Sequence, residues 1–173
     1  MTKRTSAEVP EAERAVRAEQ LKERVYVTFT SLAVVLALRS HAGETTAGEA
    51  ATTLAIAVVG TLLAVFVADF VSHIAVHEAM PTRAEMGHMV AISASALGVL
   101  VVPLLLLLLA GLGVWSVATA LLAVSVALIA SLVAVGFLAV RRVRLPIGQR
   151  LVVLLAEAVL GAAVIALELL AHG

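Results

Sequence analysis

One stretch decides what this chain can be. From Ala50 to His77 the sequence runs almost without a charge, reading LAIAVVGTLLAVFVADFVSHIAVH from Leu54 onward. A bilayer's hydrocarbon core takes about 20 apolar residues in helical form, so this run is long enough to cross one. Its last third nonetheless carries Asp69, Ser72, His73 and His77. Ionisable groups inside a span are costly and usually face a partner or a wet cavity. Asp69, His73 and His77 recur at intervals of four, which sets them on one stripe of a helix.

The rest of the chain repeats the membrane-spanning pattern or connects copies of it. Hydrophobic residues make up 62% of the chain and charged residues 14%, against roughly 45–50% apolar in soluble proteins. Mean hydropathy is +1.09. With no cysteine, disulfide scaffolds, thiolate metal ligands and cysteine nucleophiles are excluded. Only Tyr26 and Trp115 can form an aromatic belt. The first 24 residues are highly charged and lack the apolar core of a secretory signal.

Read in order, residues 1–10 form a tail ending at Pro10, and Glu11 to Arg24 alternates acid and base as a solvated helix, with Glu13 and Arg17 one turn apart. Residues 1–24 therefore read as a cytoplasmic tail, and residues 25–173 as a transmembrane domain. The expected class is all-α, a polytopic membrane protein with five transmembrane helices near 25–38, 50–77, 88–110, 114–140 and 151–171. The first span is the weakest, with Thr28, Thr30 and Ser31 in a short apolar part that must borrow Leu21 through Arg24 to reach crossing length. Pro81 breaks the connector after the second span, Pro103 is expected to kink the third, and Gly111-Leu112-Gly113 turns the chain.

Charge placement favours five spans. Six Lys and Arg precede the first span, Arg83 lies in the second connector and four more lie between Arg141 and Arg150; these fall on one side, with Arg39 alone opposite. Omitting the first span nearly erases that bias. Since cytoplasmic loops carry the basic excess, the N-terminus is expected inside and the C-terminus outside, in a cell membrane of cytoplasmic type. Arg141, Arg142, Arg144 and Arg150 suit anionic lipid headgroups, and no nucleic acid partner is expected.

In the second span Asp69 falls about five residues past the midplane, roughly 7 Å at the helical rise. His73 is one turn nearer the cytoplasm and His77 is at the interface. Carboxylate with imidazole suits first-row divalent cations, and imidazole also changes charge near neutral pH. The competing reading is a neutralised contact within the helix or with its neighbour. The fifth span adds Glu157 and Glu168, separated by only ~20° around a helix; Glu157 lies at a depth similar to Asp69. The expected pathway residues are Asp69, Ser72, His73, His77 and Glu157, with Asp69, His73, His77 and Glu157 as metal ligands and Glu78 and Glu168 as secondary candidates. Met86, Glu85 and His88 read as solvated, at most weak ligands. No phosphate-cradling loop, nucleophile elbow or HExxH is present, so no enzyme is expected.

The string from Ala68 to Glu78 (ADFVSHIAVHE) resembles the end of the second helix in the vacuolar iron transporter (VIT-like) family. By position Ser72 matches the family's serine, His73 stands where the family has Met, and His77 where it has Glu. The five-span plan and the basic loop before a glycine-containing last helix are similar too. The chain departs from that pattern at its first helix, where Tyr26 to Ser31 carries no acid, and between the second and third spans, where ten residues from Glu78 to Gly87 replace a long cytoplasmic metal-binding insert. The resemblance implies a dimer and transport of Fe²⁺ or Mn²⁺ as substrate, with no covalently bound cofactor. The expected function is a divalent-cation or proton-coupled transporter with its path between helices two and five. The alternatives are a non-transporting membrane scaffold or accessory subunit, and a pH-responsive membrane sensor.

Overall fold

The computed structural model describes residues 8–142, together with 148, 151, 152, 155, 159, 163 and 166. Among these every regular element is a helix. Helix α1 runs Glu8–Ser40, α2 Ala47–His77, α3 Arg83–Ala96, α4 Val101–Gly111 and α5 Val117–Arg142, with a short 3₁₀ turn over Leu97–Leu100 between α3 and α4. Three segments are long and apolar enough to cross a bilayer: Ala47–His77, Arg83–Gly111 and Val117–Phe137. They are the expected second, third and fourth spans, as an integral membrane protein requires. Most of the expected fifth span lies outside the described residues, including Glu157 and Glu168.

The first helix differs from its sequence reading. The charged segment and the weak first span are one unbroken helix of 33 residues, about 50 Å at 1.5 Å per residue, and by composition it is not one of the three membrane-crossing segments. It is nevertheless the middle of the bundle, packed on α2, α3 and α5. The reason is a stripe at helical spacing, in which Glu23, Val27, Ser31 and Val35 recur every four residues with Thr28 and Leu32 alongside; all six are buried. Toward the N-terminus the charges do face water, and Arg17 meets Glu13 at 3.4 Å with both side chains exposed.

Helix α2 starts at a capping box. Thr46 Oγ1 accepts from the Glu49 N–H at 3.2 Å, and Glu49 Oε2 accepts from the Thr46 N–H at 2.8 Å. It stops at Glu78, a non-glycine residue at φ 50° whose N–H still reaches the Ile74 carbonyl at 2.9 Å. Ala47, Ala50, Leu54, Val58 and Leu62 form its buried stripe, packed on α1 and α4. Ile56, Leu63, Val67 and Val71 on its other faces are open. Apolar surface of that extent needs lipid or protein around it.

Proline acts one turn before its own position. Pro103 has no N–H to give the Val99 carbonyl, so regular α-helical bonding fails in the preceding turn, and that turn is the 3₁₀ segment. Beyond α4 the chain reverses at Gly113, whose φ of 79° suits glycine, and the Trp115 indole N–H donates to the Leu106 carbonyl at 3.1 Å. Ala120, Leu121, Val124, Ser125, Leu128 and Leu132 then turn one face of α5 inward, toward α1 and α4.

Candidate functional site

The inward stripe of α2 changes chemistry along its length. Leu54, Val58 and Leu62 are buried; seven residues, or about two turns, beyond Leu62 come Asp69 and then His73, both partly buried. The side of α2 that packs on its neighbours is thus dry in its first half and ionisable in its last turns. Opposite it, α1 brings Glu19, Lys22 and Glu23, and α3 brings Glu85, His88 and Ser93. Between the three helices lies an open-sided cavity of about 870 Å³. Glu19, Glu23, Asp69 and Glu85 put carboxylates on its wall, and His73, His77 and His88 put imidazoles there.

Each group has a distinct situation. Lys22 Nζ stands 3.5 Å from Asp69 Oδ1, so this acid has a counter-charge from the neighbouring helix. His73 Nε2 is 3.9 Å from Glu85 Oε2, with the imidazole 14% exposed and the carboxylate half-exposed. The rings of His73 and His77 lie 4.5 Å apart, tilted by 46°. Glu85 also closes the capping box of α3: its Oε2 accepts from the Thr82 N–H at 2.7 Å and from Thr82 Oγ1 at 2.8 Å. Glu85 is exposed, in the first turn of its helix.

Glu23 is different. It is 1% exposed; Ser93 Oγ donates to its Oε1 at 3.2 Å across α1 and α3, and among the described residues its Oε2 has no partner. Two turns further along α1 the hydroxyl of Ser31 is likewise buried without a partner among the described residues, whereas Thr28 donates back to the Arg24 carbonyl at 2.6 Å.

The cavity gathers four of the expected pathway residues, Asp69, Ser72, His73 and His77, while Glu157 lies outside the described residues. It also takes in Glu85 and His88, which the sequence reading leaves as solvated or weak ligands. Glu78 is not on its wall; it is exposed and serves as the αL cap of α2. Among the described residues no three carboxylate, imidazole or thiol groups converge as a ready-made metal cage. The acidic half of the site on α1 escaped the sequence reading, which takes Glu19 and Glu23 as part of a solvated face. The available signal was the four-residue recurrence of Glu23 with Val27, Ser31 and Val35. Arg141 and Arg142 end α5, while Arg144 and Arg150 lie outside the described residues. Comparisons with sequence families, with curated proteins and with solved structures return no match.

Proposed function

We propose that the cavity between α1, α2 and α3 is the cation-handling site of a membrane transporter whose substrate is a divalent first-row ion or a proton. The observation that carries this reading is the convergence of four acidic and three imidazole side chains from three helices on one open-sided cavity. Lys22 offsets only one of those carboxylates. A concave acidic wall beside apolar helices raises the local concentration of cations, and carboxylate with imidazole is a donor set suited to Fe²⁺ and Mn²⁺. These ions are also what the resemblance to vacuolar iron transporters implies. Glu157 is proposed as a further pathway residue, in a path between the second and fifth spans. The distribution of Lys and Arg supports a five-span plan in which this cavity opens to the cytoplasm; a homodimer is part of the same proposal.

The test is transport by the full chain in proteoliposomes loaded with a metal-sensitive dye. Mn²⁺ or Fe²⁺ should quench the dye, and Asp69→Asn should reduce the rate to the level of protein-free vesicles. Flat traces for wild type with every metal and with imposed pH gradients would refute the reading. The Lys22–Asp69 ion pair specifically favours the second reading, a non-transporting membrane scaffold in which Asp69 serves only to fasten α1 to α2. Under that reading Asp69→Asn loosens the bundle, and no ion moves in wild type.

A further inference from the structure

We infer that Glu23 is a proton-carrying carboxyl, distinct from Asp69 and set at the buried wall of the cavity. The inference rests on the reading of the cavity as a cation site. Three observations carry it. Glu23 is 1% exposed while still contributing to the cavity wall. Its Oε1 is held by Ser93 Oγ at 3.2 Å, and among the described residues its Oε2 has no hydrogen-bond partner. The adjacent ammonium, Lys22, is engaged 3.5 Å from Asp69.

A buried ionised carboxylate needs a counter-charge or a full set of donors, and among the described residues Glu23 has one donor and no ion pair, Lys22 being paired with Asp69. The smallest species that supplies the missing charge is a proton, which needs a single basic oxygen where a metal ion needs several ligands. On loading, an O–H bond of a hydronium ion in the cavity breaks, leaving water, as one forms to an Oε2 lone pair; on release the carboxyl O–H breaks and the proton returns to a water molecule. The Ser93 hydroxyl holds the other oxygen and leaves Oε2 buried behind the cavity wall, without a hydrogen-bond partner among the described residues. The groups facing this carboxyl are Glu19 and Lys22 from its own helix, Asp69, His73 and His77 from α2, and Glu85 and His88 from α3. From α5, residues 117–137 carry no ionisable side chain.

The experiment is infrared difference spectroscopy of the full chain in lipid, titrated across the range in which the bundle keeps its helical circular dichroism. Wild type should show the C=O stretch of a protonated carboxyl appearing and vanishing with pH. Glu23→Gln should lose that band, Asp69→Asn should keep it, and Ser93→Ala should keep it at a shifted frequency because one hydrogen bond is gone. A band unchanged in Glu23→Gln, or no titrating band in wild type, would overturn the inference. If Glu23→Gln fails to fold, Glu23→Asp substitutes, with a displaced band expected and an unmoved one contradicting the assignment. Failure of the transport reading looks different: wild-type vesicles take up no Mn²⁺ while the Glu23 band persists, and that result leaves the proton site standing.

Discussion

Thr82 and Glu85 show how one residue pair serves both fold and site. The pair satisfies backbone donors at the start of α3 and places an acid 3.9 Å from His73. Replacing Thr82 with Ala removes a cap, which costs about 1 kcal/mol and should lower the thermal midpoint in detergent. Glu85→Ala should likewise lower the midpoint, because its carboxylate accepts from the Thr82 N–H and hydroxyl; an unchanged midpoint contradicts the cap assignment. Asp69, His73 and His77 were legible in sequence because they share one helix and one four-residue period. Glu23 was not, because its partner Ser93 is 70 residues away and its neighbours Glu19, Lys22 and Arg24 look like any solvated helix.

At the scale of elements, α2 is a helix whose packing stripe has two chemistries. Leu54 is fully buried in the dry half. Leu→Ala in a soluble core costs roughly 2–5 kcal/mol, but lipid is as apolar as leucine, so only the packing part of that loss applies here. Leu54→Ala should then cost about 2 kcal/mol, at the low end of that range, read as an earlier midpoint in denaturing detergent. Leu63→Ala, on the outward face, should leave the midpoint near wild type. The apolar runs that form α2, α4 and α5 were plain in the sequence, since length and hydropathy suffice to find them. The role of α1 was hidden for the opposite reason. Its mean character is polar, and only its packing against three other helices reveals that the narrow stripe through Glu23 and Ser31 faces inward. Pro103 was expected to kink its helix; the break falls in the turn before it because the lost hydrogen bond belongs to Val99.

For the whole molecule, the claim is an apolar bundle that opens at one end into a wet, acidic cavity. The chain has no cysteine, so single cysteines report cleanly on sidedness. Thr45→Cys, in the turn between α1 and α2, and Arg83→Cys, at the start of α3, should react with an impermeant maleimide from opposite sides of sealed vesicles. The most direct test places the probe in the cavity. Ser72 lines it and is exposed, whereas Leu63 lies on the outward face of the same helix. Ser72→Cys should be labelled rapidly, from the same side as Arg83→Cys only, and Mn²⁺ should slow the reaction. Labelling of Ser72→Cys no faster than of Leu63→Cys, and indifferent to Mn²⁺, would contradict a hydrated cation cavity.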